Sequence, residues 1–147
     1  MEIIKGNCTT ELICISFKPG EKFLEGLKEV IEKENIRAGV ILSGIGSFST
    51  CHIHQTNCGT PPNLETRHQD YYKFDGSVEL SSVQGLIADG EPHLHVTVSE
   101  HYKTIGGHLE EGCIVLTLAE VVILKANELP VTRVVRPPKL KQLTRKY

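Results

Sequence analysis

One segment of the chain carries a clear helical pattern. Between residues 21 and 35 (EKFLEGLKEVIEKEN), apolar side chains recur every three or four residues and charged side chains occupy the opposite face. Pro19 precedes the pattern and Asn35 follows it, as expected at the two ends of a helix. We therefore predict one amphipathic helix, with an apolar stripe made of Phe23, Leu24, Leu27, Val30 and Ile31.

Most of the remaining chain has the short apolar runs and the Val, Ile, Thr and Tyr content of β-strands. Asp-Gly and Gly-Gly pairs separate several of these runs. The predicted strands are 12–17, 38–49, 51–56, 71–80, 82–88, 93–99, 113–125 and 131–135, and residues 57–70 are predicted to form a loop. The pattern predicts an α+β domain over residues 1–136, with a largely antiparallel, twisted β-sheet.

The segment 113–125 (CIVLTLAEVVILK) is apolar on both faces over most of its length. A strand of this kind needs cover on both sides. A single helix covers only part of such a sheet, so a second copy of the chain is the simplest source of the missing cover. We therefore expect a homo-oligomer.

The composition fits a soluble globular protein of 147 residues, with 39% hydrophobic and 23% charged residues. No apolar run approaches the roughly 20 residues that span a bilayer, and the N-terminal stretch lacks the pattern of a secretory signal. The five cysteines form no CxxC motif, which favours reduced thiols. These features predict a cytoplasmic protein with no membrane partner.

The net charge of −2 is unevenly distributed. Residues 133–147 (RVVRPPKLKQLTRKY) contain six basic residues and no acidic ones, so the rest of the chain has a net charge of about −8. We interpret residues 137–147 as a basic C-terminal tail. Such a tail either binds phosphate groups or is solvated and poorly ordered. The Pro137-Pro138 pair favours the second alternative.

The candidate chemistry centres on the stretch GEPHLHV, residues 90–96. Residues i and i+2 of a strand point to the same side, so His93 and His95 project together and one metal ion can bridge them. The glycine-rich segment IGGHLEEG can bring His108 back beside the pair. Three imidazoles with an open fourth position are typical of a catalytic or exchangeable Zn²⁺ site, although another divalent transition metal fits as well. The alternative is that these histidines make ordinary hydrogen bonds at strand ends.

Other candidates are weaker. The stretch CHIHQTNC contains a conceivable zinc set of Cys51, His52, His54 and Cys58, but its residues alternate between the two faces of a strand. Glu120 is an acid inside an apolar strand, so it is either paired, exposed at an edge, or a carboxylate ligand or proton carrier beside a metal. We interpret Asp89, Glu110 and Glu111 as solvated turn residues.

Three motifs in order, SGIGS at 43–47, PHLH at 92–95 and GGHL at 106–109, closely resemble the PPC (plants and prokaryotes conserved) domain. The resemblance extends to about residue 135 and identifies the stand-alone prokaryotic type. It implies an α+β fold, a homotrimer, and a zinc site at His93, His95 and His108. It also implies a DNA-associated or regulatory role, because the plant relatives carry this domain behind AT-hooks in nuclear proteins.

The sequence is also compatible with two other functions. The first is a small zinc-dependent enzyme that acts on a carbonyl or keto-acid substrate, since an open zinc position can polarise a carbonyl group or activate water. Its histidines are similar in kind to those of acetolactate decarboxylase, which also sets an HxH pair and a later histidine around zinc. The second is a plain oligomeric interaction module whose histidines are incidental.

Overall fold

A computed structural model describes all 147 residues as one helix and eight strands. The elements are β1 (Glu11–Phe17), α1 (Phe23–Lys33), β2 (Ala38–Asn57), β3 (His68–Ala88), β4 (Glu91–Glu100), β5 (Lys103–Leu109), β6 (Ile114–Lys125), β7 (Val131–Arg136) and β8 (Leu140–Arg145). A single 3₁₀ turn, Leu64–Thr66, interrupts the connection between β2 and β3. The prediction of an α+β fold with one helix and a largely antiparallel sheet is confirmed.

The main sheet has the strand order β1-β6-β2-β3-β4-β5, and every pairing is antiparallel. Strand β5 also pairs with the far end of β2, so β2, β3, β4 and β5 close into a ring. Strands β2 and β3 are continuous over 20 and 21 residues, although the sequence predicts two shorter strands in each place. Irregularities in register, at Phe48/Thr50 and at Leu80/Ser82, lie close to the predicted breaks.

Helix α1 covers one side of the sheet. Its predicted apolar stripe is buried at Phe23, Leu24, Leu27 and Ile31, and the ring of Phe23 lies 5.1 Å from that of Phe48. The helix ends at Lys33, and Asn35 then takes a left-handed conformation with φ 48°, which asparagine tolerates. The predicted helix is therefore found, two residues shorter at each end.

The opposite face of β1, β6 and β2 has no such cover. Leu12, Ile45 and Leu118 on this face are about half-exposed, whereas Val121 and Ile123 of β6 point into the core and are buried. Strand β6 therefore has one apolar face that packs in the core and a second apolar face that is open in the single chain. The sequence predicts that both faces need cover.

The C-terminal tail is ordered, which corrects the expectation of a poorly ordered terminus. Strands β7 and β8 form a separate hairpin that turns at the Pro137-Pro138 pair. Ion pairs tie the hairpin to the turn before β4, through Lys141 with Glu91 and Lys146 with Asp89. Asp89 also pairs with Arg37, so it is a tether of the hairpin rather than a solvated turn residue.

No helix of the chain is long and apolar enough to cross a membrane.

Candidate metal centre

The alternation of β4 sets the direction of its two histidines. Leu94 and Val96 are buried in the core at 2% exposure, so His93 and His95 between and beside them project outward together. Their rings stack with a centroid separation of 5.4 Å, and their Nε2 atoms lie 3.3 Å apart.

The closure of the ring of strands brings the third histidine to this pair. His108 of β5 lies directly opposite His95 of β4, and its ring centroid is 4.9 Å from that of His93. The neighbouring Gly107 makes this approach geometrically accessible, because a Cβ atom there would lie 2.7 Å from the carbonyl oxygen of His54 on β2. The return of His108 to the pair, which the glycine-rich segment was expected to allow, therefore depends on Gly107.

The three rings are close enough together to hold one metal ion. One nitrogen from each of His93, His95 and His108 can be chosen so that all three lie within 4.8 Å of one another. Two nitrogens bound to one Zn²⁺ ion at about 2.05 Å and at the tetrahedral angle lie about 3.3 Å apart. The Nε2 atoms of His93 and His95 already have this separation, so the pair needs little movement to share an ion.

Partial burial keeps these imidazoles neutral at pH 7. Desolvation lowers the pKa of His108 to about 4, and the nearby His54 and His93 add to the effect. Desolvation also lowers the pKa of His93 and that of His95 below the usual histidine range, and the positive charge of Arg133 contributes at His93. A neutral imidazole has the free lone pair that a metal ligand requires.

Two further residues extend the cluster. His54 of β2 lies opposite His108, with 4.7 Å between the ring centroids, and its Nδ1 atom is 2.5 Å from Oε1 of Glu110. His54, His108 and Glu110 form a second set of grouped ligand atoms. The interpretation of Glu110 as a solvated turn residue is therefore wrong. The sequence shows only that His52 and His54 lie on the same face of a strand. The pairing of β2 with β5, which the sequence does not reveal, brings His54 to His108.

The Cys–His stretch does not assemble. Cys51 points into the core and is fully buried, whereas His54 on the opposite face belongs to the cluster around His108. His52 is bonded through Nδ1 to the carbonyl oxygen of Glu111. These residues offer no shared ligand site, in keeping with the alternation of the strand.

Glu120 lies away from the histidines. It is exposed on the open face of β6, opposite Ile45 and Ser16. It therefore takes the exposed alternative that the sequence left open. The structure does not bring its carboxylate to the three rings, which removes the geometric support for a role as ligand or proton carrier within one chain.

The histidines form the floor of a cleft with a volume of about 830 Å³. The hairpin β7-β8 supplies the opposite wall, and its Arg133, Lys139 and Lys141 face the same space. Most of the lining residues carry polar side chains. The open coordination position of a metal held by the three histidines would therefore face solvent and polar side chains.

A family model for the Plants and Prokaryotes Conserved (PCC) domain matches residues 6–127, which include all three histidines. The chain belongs to this family. The resemblance drawn from the SGIGS, PHLH and GGHL motifs is thereby confirmed. The basic residues of the hairpin lie beyond the matched segment.

Solved structures share this PCC fold. A plant- and prokaryote-conserved protein of Pyrococcus horikoshii has a TM-score of 0.79 at 24% identity and covers 99% of both chains. A metal-containing protein of Archaeoglobus fulgidus has a TM-score of 0.78 at 18% identity over 95% of both chains. A third neighbour, from Bacteroides thetaiotaomicron, is described provisionally as a DNA-binding protein; it has a TM-score of 0.76 at 20% identity and covers 93% of this chain and 96% of its own.

Curated relatives match only in part. Two Synechococcus proteins named bifunctional protein GlmU are 28% identical to the PCC chain over 111 residues, which are 75% of this chain. The matched region spans 16% of the length of those relatives.

Proposed function

We propose that this PCC protein is a zinc-binding homotrimer whose metal centre binds a small molecule. The observation that carries the proposal is the 3.3 Å separation of the His93 and His95 Nε2 atoms, with His108 beside them. Three neutral imidazoles that leave one position open are typical of exchangeable or catalytic zinc sites rather than of closed structural ones. The name of the metal-containing neighbour from Archaeoglobus fulgidus agrees with this proposal.

The metal is not needed to build the core. A cluster of 23 buried residues packs beneath the outward-facing histidines, so the sheet has its own source of stability. We therefore assign the ion a role in binding and chemistry. When bound, zinc supplies Lewis acidity, which can polarise a carbonyl oxygen or lower the pKa of a water molecule. The residues around the cleft would orient the ligand. The hydrogen-bonded pair of His54 and Glu110 lies beside His108 and can hold a proton.

Metal content tests the site directly. Untagged protein should contain about one metal ion per chain, and His93→Ala/His95→Ala should lose it. His101→Asn is the matched control, because His101 lies in the exposed turn after β4 with φ 50° and asparagine accepts that conformation. Equal metal content in the double variant and the control would refute the site.

The open face of β1, β6 and β2 supports the trimer. Leucine and isoleucine side chains at positions 12, 45 and 118 remain 47–63% exposed there in the single chain. Several large apolar side chains exposed on one face of a sheet are typical of an interface. Light scattering at micromolar concentration should give three times the 16.3 kDa mass of the chain, and a monomeric mass would refute the assembly.

A DNA-associated regulatory role is the second candidate. The observation in its favour is the provisional DNA-binding description of the neighbour from Bacteroides thetaiotaomicron, together with the basic hairpin of this chain. Binding through phosphates depends steeply on salt concentration. A gel shift with duplex DNA across several salt concentrations tests this role, and the absence of any shift at low salt would end it.

A further inference from the structure

The cleft above the histidines is strongly cationic. Four basic side chains line it, from Arg67, Arg133, Lys139 and Lys141, and Glu91 is its single acidic residue. Of the four cations, only Lys141 is in an ion pair, with Glu91 at 2.5 Å. The other three cations have no acidic partner, so the cleft has an excess of positive charge within a chain whose net charge is −2.

Arg133 is a fixed cation beside the histidines. Its Nη1 atom donates to the carbonyl oxygen of Glu91 at 2.8 Å, and its Nη2 atom donates to that of Leu86 at 3.0 Å. These carbonyl groups hold the guanidinium in place but do not neutralise its charge. Three further N–H groups of the guanidinium remain for a ligand.

The other side of the cleft is held in a similar way. Arg67, at the start of β3, donates to the carbonyl oxygen of Lys139 at 3.2 Å, which links the tip of the hairpin to the sheet. The basic residues are therefore presented by two tethered elements rather than by a loose tail. A preorganised wall of this kind reduces the entropy lost when a ligand binds.

The remaining lining consists mostly of small or neutral polar side chains. Only two lining residues are hydrophobic. Hydroxyl and amide groups are contributed by Gln55, Thr56, Gln69, Ser82, Gln84 and Thr97. Such a surface matches a hydrophilic ligand that carries hydroxyl or carbonyl oxygens, and it does not match an apolar one.

We propose that this cleft binds a small hydrophilic organic anion, whose carboxylate or phosphate group is received by the basic wall while another oxygen points to the histidines. Arg133, Lys139 and Lys141 contact the anionic group. The contact at the histidines rests on the metal centre proposed above, but recognition of the anion by the basic wall does not.

Calorimetry with defined probes tests this inference. Pyruvate and glycerol 3-phosphate are titrated into metal-free and zinc-loaded protein at fixed ionic strength, with glycerol as the uncharged probe. Zinc binding is measured separately on the same preparations. We expect one or both anions to bind and glycerol not to bind, since charge-assisted hydrogen bonds carry the recognition.

Two variants distinguish specific binding in the cleft from nonspecific attraction of an anion by the positive charge of the tail. Lys139→Gln/Lys141→Gln should weaken anion binding about tenfold or more, because it removes two of the four cations. Arg145→Gln is the matched control: it also removes a tail cation, but Arg145 is exposed outside the cleft and is in no ion pair. Thermal melts of both variants establish that they are folded.

The outcomes are distinct. Normal zinc binding without binding of either anion overturns this inference and leaves the metal centre in place. Anion binding to a protein that takes up no zinc, lost in the double lysine variant, supports the inference and refutes the metal centre. Equal anion affinity in the double variant and in Arg145→Gln overturns the inference. The inference is also overturned if neither small anion binds and a short DNA duplex binds through Lys139 and Lys141.

Discussion

The close approach of β5 to β2 depends on Gly107, and Gly107→Ala tests how the third histidine reaches the site. A Cβ atom at this position would lie 2.7 Å from the carbonyl oxygen of His54 and 3.2 Å from Cδ1 of Ile53. Carbon–oxygen contacts between strands usually measure about 3.3 Å or more. The two strands must therefore separate by about 0.6 Å, and forcing such a shift into a packed core costs about 1–3 kcal/mol.

The same shift displaces His108 from its partners. Functional constellations tolerate errors of about 0.5 Å, so a movement of this size is enough to weaken a metal site. We expect the zinc affinity of Gly107→Ala to fall about 10- to 100-fold, as for other changes that misplace a ligand. Stability is measured by urea unfolding of metal-free protein at fixed protein concentration, and affinity by competition with a chelating dye.

Gly106→Ala is the matched control. A Cβ atom at Gly106 would lie 3.3 Å from the carbonyl oxygen of Val96. A backbone shift of a few tenths of an ångström relieves this contact. We expect the free energy of unfolding of this variant to stay within about 0.5 kcal/mol of the parent. If the two alanine variants match in both stability and zinc affinity, the close passage of Gly107 is not what positions His108.

Three further measurements address the assembly, the histidines and the acid beside them. Leu118→Lys should shift the mass in light scattering towards the 16.3 kDa chain, whereas Leu64→Lys, equally exposed but on the 3₁₀ turn, should not. In metal-free protein, the pKa of His108 is about 4 when folded and about 6.5 when unfolded, so the unfolded state binds more protons between these values. The difference of 2.5 between the two pKa values corresponds to about 3.4 kcal/mol, and solvent screening of the partly exposed ring reduces this to about 2 kcal/mol. The free energy of unfolding should therefore fall by up to about 2 kcal/mol as the pH drops from 6.5 to 4, and His108→Gln should flatten the profile. Glu110→Gln should lower zinc affinity about tenfold by removing the charge that holds His54 against His108, and Glu111→Gln, at an exposed position, should leave it unchanged.

Local patterns predicted what depends on local geometry. The helix follows from its 3.6-residue repeat, and the outward direction of His93 and His95 follows from the two-residue repeat of a strand. Both features depend only on neighbours along the chain. They were predictable because the buried residues between them, such as Leu94, are strongly apolar.

Features that depend on distant pairing were missed. Strand β5 is absent from the strands predicted from the sequence, because its Gly-Gly pair resembles a break between strands, yet Gly107 allows the contact with β2. Strand β7 corresponds to the predicted strand 131–135, but β8 was missed because the Pro137-Pro138 pair and the charges of the tail resemble a disordered segment. Ion pairs with Glu91 and Asp89 hold this segment in place. Glu110 joined the cluster only through the pairing of His54 with His108, 54 positions apart.

The candidate metal ligands and the core residues alternate along the same strands. In β4, Leu94 and Val96 stabilise the domain while His93 and His95 face the cleft, and in β5 the buried Leu109 follows His108. A change on one face therefore has little direct effect on the other, except where the backbone itself shifts, as at Gly107. This separation means that loss of metal binding without loss of stability is the expected result for the histidine variants. Changes that affect both properties together should concentrate at the strand contacts that close the ring, where the backbone of β5 meets that of β2.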